Sequence, residues 1–346
     1  VRWDGADGYH VVVDGVRCID FSTGIFAAVL GHRFCEFSDR WGMHTYSYDT
    51  DIRDEYVVRL RDVTGYDGVL LFTTGSEAVE GALRLARLVM GRQLVFGLEG
   101  CFHGKTLGAQ LVRPYGKRLK DVGNYAGNRA HSAGVIVEGY RGWDCRFWDE
   151  DVLDWLRGFQ RLGKLLIVDE VQSGFGRTGR FFAYEHYGLT PDIVVVGKGM
   201  GNGFPVSGVL FRGDLIAGSG VSLEEFSSTH GGGPMACAAG LAVLDAFKRW
   251  DLVCESARKG ALLHGRLAGI GFPVSGRGMV AAVFLESVEQ ADRVVDECAR
   301  RGLLVVRTGK STVKLGPALT MVDSMLMEGV GILEEVIRDE VATQTA

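Results

Sequence analysis

The sequence predicts an α/β fold in which a large domain, built on a mostly parallel central sheet, is joined to a smaller α+β domain. Three observations lead there. Six short apolar runs recur between residues 69 and 211, the pattern of strands buried on both faces. Between the first two lies SEAVEGALRLARLVM (76–90), with Ala78, Ala82, Leu85, Ala86 and Val89 on one helical face and Glu77, Glu80, Arg84 and Arg87 on the other. After residue 234 the pattern shifts to long helical stretches with few strands. The expected division is 41–234 for the large domain, with 1–40 and 235–346 forming the small one.

Taken in chain order, the first expected strand is VLLFT (69–73), followed by the amphipathic helix, where Glu80 and Arg84 stand at the favourable i, i+4 spacing. Strands follow at LVFGL (94–98), GVIVE (134–138), LLIVDE (165–170), IVVV (193–196) and SGVLF (207–211). The second region reads as one helical stretch over 235–269, a strand in GMVAAVFLE (278–286), a helix near 289–301 and a strand at TVKLG (312–316). The 50 glycines are spread through strand-to-helix turns, where backbone can approach a ligand closely. No internal repeat or low-complexity tract interrupts the pattern.

Composition narrows the class of partner. With 346 residues, 47% hydrophobic and 23% charged, the chain reads as globular rather than disordered. A formal net charge of −5 supplies no basic footprint for nucleic acid or an anionic membrane surface, so small molecules are the expected partners. The seven cysteines form no CxxC pair, which fits a reduced, cytoplasmic setting and no metal site. No apolar run is long enough to span a bilayer, and VRWDGADGYH lacks the basic flank and apolar core of a secretory leader.

Three strand-end turns carry chemistry. In FTTGSEAVEGA, Gly75 permits a tight turn and Ser76 stands at a helix N-terminus, where unpaired N–H groups and the positive dipole end favour a phosphate. Alone, the segment reads equally as a glycine turn with a serine cap. In LLIVDEVQ, Asp169 stands at the carboxyl end of an apolar strand, the edge at which open α/β sheets bind ligands; a helix-capping or magnesium-binding aspartate has the same appearance. In PDIVVVGKGMGNG, Lys198 follows an apolar strand and is walled in by glycine. Loss of hydration there lowers a lysine pKa and makes the amine a nucleophile toward carbonyls, whereas a surface lysine would simply extend into water. The glycines do not have the G-x-G-x-x-G spacing of a dinucleotide loop. A phosphate cradle, a carboxylate and a Schiff-base lysine together are what pyridoxal 5′-phosphate requires: phosphate at Gly75 and Ser76, ring nitrogen at Asp169, aldehyde carbon at Lys198.

The chain resembles the class III aminotransferases of the ornithine/4-aminobutyrate type, with pyridoxal phosphate fold type I. The resemblance rests on DEVQSGFGRTGRFFAYEHYGLTPDIVVVGKG, TTGSEAVEGALRLAR, GCFHGKTLGA and SSTHGGGPMACAAGLAVLD, which cover most of residues 69–245. It implies a homodimer with shared active sites, a small-molecule amino donor (an amine, diamino acid or ω-amino acid) and a 2-oxo acid acceptor. It also implies that Phe102 stacks on the cofactor ring beside His103, and that Glu138 belongs to the cofactor site. Gln172 is expected to bond the ring hydroxyl, and Thr229, next to Ser228, to reach the phosphate of the neighbouring subunit's cofactor. An aminomutase or racemase on the same fold and a non-catalytic scaffold are the competing readings. Gln172 in DEVQ favours transamination, and the intact Asp169 and Lys198 argue against a scaffold.

Some positions depart from the family pattern. VKLGPAL has Lys314 where many members carry an arginine that grips a substrate carboxylate, so a bidentate fork becomes a single point charge. VEGYRGW has Trp143 where a second glutamate often pairs with that arginine, and FHGKT has Lys105 where arginine is common. Lys105, Trp143, Ser228 and Lys314 are therefore the candidate substrate residues. The chain is also shorter than typical members between Gly31 and Tyr56 and between Arg113 and Ala133, which predicts reduced access loops and dimer rim.

Overall fold

The computed structural model of the chain describes residues 3–33, 49–112, 130–309 and 311–345. The two shortened stretches, 31–56 and 113–133, fall largely outside those residues.

All six apolar runs form strands of one sheet. These are β4 (Gly68–Phe72), β5 (Val95–Gly97), β6 (Gly134–Glu138), β7 (Leu165–Asp169), β8 (Ile193–Val196) and β9 (Ser207–Phe211), in the spatial order β4-β9-β8-β7-β6-β5. Strands β5 to β8 pair in parallel. Because β9 is antiparallel to both β8 and β4, it alone runs against the others. Every residue of β6, β7 and β8 is buried, which explains why these runs are apolar, up to the Glu138 and Asp169 that end β6 and β7, rather than alternating.

The pleat still sorts those residues to two faces. Ile136, Leu165, Ile167, Val195 and Val209 pack under the apolar stripe of helix Gly75–Met90, including Ala78, Ala82, Leu85 and Ala86. Val135, Val137, Leu166 and Val168 face the opposite way, onto Leu153, Leu156 and Phe159 of helix Glu150–Arg161. The result is a helix–sheet–helix sandwich of the kind that leaves strand ends, rather than faces, for ligands.

Two smaller sheets complete the described structure. One joins β1 (Trp3–Asp7), β2 (His10–Val13) and β3 (Val16–Asp20) to β12 (Leu303–Leu304), with Leu303 opposite Ile19 in parallel register. The other has the order β10-β11-β14-β13, from Val274–Arg277, Val280–Phe284, Thr312–Leu315 and Val306–Thr308 respectively. The sequence pattern does not disclose β1, β2, β3, β10, β12 or β13, which are short and, apart from the two leucines of β12, of mixed polarity.

The stretch expected as one helix over 235–269 is two, Pro234–Trp250 and Leu252–Leu267. The break is at Asp251, whose φ of 44° is left-handed. Its N–H donates to the Phe247 carbonyl and closes the first helix. Aspartate tolerates that conformation better than most residues, a local signal that helical periodicity overrides when the sequence is read alone.

Candidate active site

Register brings the candidate residues to one edge of the central sheet. Glu138 and Asp169 are the last residues of β6 and β7 and stand opposite one another, Asp169 stands opposite Val195, and Lys198 follows the end of β8 by two residues. This is the carboxyl edge of the parallel strands.

Lys198 opens a short 3₁₀ turn, Lys198–Gly201, and has a left-handed φ of 45°. A non-glycine residue rarely holds this conformation, and here the packing around it enforces it. A Cβ on Gly199 would lie 2.8 Å from Val29, so the turn presses against the N-terminal segment. Asn202, which ends it, accepts the N–H of Leu30 at 2.8 Å and donates to the Gly31 carbonyl at 3.1 Å. Burial pushes the Lys198 ammonium down to about 8, with the positive charge of Lys314 next in importance and Asp169 and Glu138 opposing. Among the described residues no hydrogen bond reaches its amine.

Asp169 is buried and its carboxylate is held from two sides. Oδ1 accepts the Val171 N–H at 3.0 Å, and Oδ2 lies 2.8 Å from Nδ1 of His103, itself almost wholly buried. A carboxylate can only accept, so Nδ1 carries the proton of that bond. His103 Nε2 is buried with no partner among the described residues.

Glu138 performs a comparable service for the loops. Its Oε2 accepts the N–H of Phe102 at 2.9 Å and of Gly142 at 3.1 Å, while its own carbonyl accepts Trp148 Nε1–H at 2.7 Å. Burial raises its carboxyl to about 7 against the lowering influence of His103. The two loops it ties place Phe102 and Trp143 edge to face, with ring centres 5.7 Å apart. Trp143 is 38% exposed at the rim of this group, and its carbonyl accepts from the Thr308 hydroxyl.

The helix N-terminus forms as expected. Thr74 and Glu77 make a capping box, and the Ala78 N–H returns to the Thr74 carbonyl, which leaves Gly75 and Ser76 at the open end. Ser207 on β9 holds the same turn by donating to the Thr74 carbonyl at 2.7 Å. Gly104 is required beside it: its φ is +118°, and a Cβ there would stand 2.6 Å from Ser76 Oγ. The absence of that methyl brings the 102–104 loop onto Ser76.

Gln172 lies near Gly142, and its Oε1 receives both the Tyr140 hydroxyl at 3.2 Å and the Lys314 ammonium. Lys314 is fully buried in mid-strand on β14 and also donates to the Gly142 carbonyl. Lys105 and Thr229 are exposed and Ser228 is half-buried; no side-chain hydrogen bond joins these three to the group among the described residues. Two contributors had no chemical signal in the sequence. Tyr140 reaches Gln172 from the loop after β6, and Arg177, fully buried, donates through one nitrogen to the carbonyls of Met279 and Pro317.

The family described as aminotransferase class-III matches residues 4–112 and 116–337. The acetylornithine aminotransferase of Archaeoglobus fulgidus is 32% identical over 357 residues, covering 95% of this chain and 93% of that one. A [LysW]-aminoadipate semialdehyde/glutamate semialdehyde transaminase of Sulfolobus acidocaldarius is 31% identical, covering 93% and 91%. Among solved structures, the acetylornithine aminotransferase of Elizabethkingia anophelis superposes with a TM-score of 0.85 at 26% identity, covering 98% of this chain and 94% of that one.

Proposed function

The chain belongs to the class III aminotransferases, pyridoxal phosphate-dependent enzymes of fold type I that move an amino group from a donor to a 2-oxo acid, and for this member we propose that Lys198 and Asp169 are the catalytic residues. The observation that carries the assignment is Lys198 two residues past the end of β8, on the same sheet edge as a buried carboxylate that His103 holds in place.

The residues present fit the cofactor. The open helix end at Gly75 and Ser76, with the space left by Gly104, suits a phosphate, and Thr229 of a second copy would complete that cradle. Phe102 would stack on the ring, and Gln172 would meet the ring hydroxyl. When bound, pyridoxal phosphate supplies an electron-accepting ring conjugated to the substrate nitrogen. Asp169 keeps a proton on the ring nitrogen, and His103 orients that carboxylate through Nδ1. Lys198 Nζ, with its lowered pKa, moves a proton at the donor carbon that bears the amine. Glu138 keeps Phe102 and the Gly142 turn in register.

The donor is read as an amine, diamino acid or ω-amino acid; the relatives' names give acetylornithine and the semialdehydes of [LysW]-aminoadipate and glutamate. The setting is read as cytoplasmic and the assembly as a homodimer with shared sites. Sedimentation of the cofactor-loaded protein as a monomer at micromolar concentration would refute the shared-site reading. The catalytic assignment is tested by reducing the cofactor-loaded protein with borohydride and mapping the modified peptide. The expected product carries the cofactor on Lys198; recovery on another lysine, or no covalent adduct, rejects it.

A further inference from the structure

Within the reading of this site as that of a pyridoxal phosphate aminotransferase, Lys314 occupies a place its charge alone does not explain. Strand alternation sorts β11 and β14 into two faces. Ala281, Val283, Val313 and Leu315 enter the large core, while Val280 and Ala282 face Tyr140 and Cys145. Lys314 stands directly opposite Ala282 and shares that second face, which turns toward the loop after β6.

An ammonium has three N–H donors and no acceptor. Two of those of Lys314 go to the Gly142 carbonyl and Gln172 Oε1. The nitrogen also lies 4.4 Å from the centre of the Phe26 ring, with the Tyr140 ring at 5.8 Å. The ion is fully buried and engaged on each of these sides, which leaves it poorly placed to receive a substrate carboxylate.

The contact with Gln172 has a directional consequence. A carboxamide can present its oxygen or its NH₂ to a neighbour, and a hydroxyl such as that of Tyr140 accepts either arrangement. An ammonium accepts only the oxygen. Lys314 therefore fixes Oε1 on its own side of the amide and the NH₂ on the other, and at the same time clamps the Gly142 turn whose N–H Glu138 accepts. We infer that Lys314 is a positioning residue that fixes the orientation of the Gln172 amide toward the cofactor site, and that it is not a ligand for the substrate carboxylate.

The test is a double-mutant cycle of Lys314→Met and Gln172→Leu in the holoenzyme, read by the cofactor dissociation constant and by kcat/KM for an amine and its carboxylated analogue. Lys314→Met should weaken cofactor binding by roughly 10- to 100-fold, the usual effect of removing an orienting partner. The double variant should be no weaker than the poorer single one, and both donors should lose kcat/KM by the same factor. Unchanged cofactor affinity, additive losses, or a loss at least about tenfold greater for the carboxylated donor would overturn the inference. If Lys314→Met does not fold, a crystal structure of the wild-type holoenzyme with a carboxylate-bearing inhibitor decides. Nζ remaining on Gly142 and Gln172 supports the inference, and Nζ on the inhibitor carboxylate defeats it. Failure of the underlying enzyme reading shows separately, as wild-type protein that captures no cofactor on Lys198.

Discussion

The turn after β8 and the middle of β14 each withdraw a lysine from water, and they do opposite things with it. In the turn, Lys198 holds a left-handed backbone, has no hydrogen bond to its amine among the described residues, and has its pKa pushed down to about 8 by burial. In the strand, burial also lowers the pKa of Lys314, but its ammonium is engaged by a carbonyl, a carboxamide oxygen and an aromatic face. Desolvation alone therefore does not make a nucleophile. In the proposed assignment a desolvated lysine is reactive where the fold withholds partners from it, and a strut where the fold supplies them.

The largest effect that separates the two is on turnover. Lys198→Ala should abolish catalysis or reduce it by several orders of magnitude, while noncovalent cofactor remains bound through Gly75, Ser76 and Asp169. Lys314→Met should reduce turnover far less. Steady-state rates alongside cofactor absorbance distinguish them, and residual activity of Lys198→Ala close to that of Lys314→Met would erase the contrast.

A smaller effect sharpens the account of the Lys198 side. In the proposed assignment Asp169→Asn removes the charge that would keep the ring nitrogen protonated, and it should cost about 100-fold or more in kcat. His103→Phe, which acts only through Asp169, should cost on the order of 10-fold, because it loosens the carboxylate without removing it. Measured kcat values in the reverse order would mean that His103 Nε2, not Asp169, meets the reacting system.

The smallest effect concerns protonation. In cofactor-free protein, competitive acylation of Lys198 should titrate near pH 8. Below that midpoint the ammonium form is unreactive, and above it the rate levels off. Lys314→Met removes a like charge, which favours the protonated Lys198, so the midpoint should move upward. A wild-type midpoint near the ordinary lysine value of about 10.4 would place Lys198 in water and end the comparison.

Much of the candidate site was legible because its signals are local. Gly75 and Ser76 sit where a strand run gives way to a helical period, and Lys198 follows four apolar residues into glycines. The limits of legibility are equally specific. The break at Asp251 is set by one residue's backbone conformation inside a convincing helical period. The short strands β1 to β3 become recognisable only through their neighbours, since β3 pairs with β12 nearly the whole chain away. Lys314 read as a point charge for a substrate carboxylate because TVKLG does not reveal which face of its strand meets another layer.

By itself, the sequence determined the order of the central strands and helices, the glycine turns at their ends, and the residue types needed for a phosphate, a ring nitrogen and a carbonyl carbon. These follow from side-chain periodicity and backbone permissiveness over a few residues. Only the tertiary structure decided which polar atoms face one another. His103 reaches Asp169 across 66 positions and Lys314 reaches Gln172 across 142. Hydrogen bonds depend on distances of a few tenths of an ångström between groups that the chain brings together only when its layers pack. Among the described residues, that packing leaves the amine of Lys198 without a hydrogen-bond partner and surrounds that of Lys314 with them.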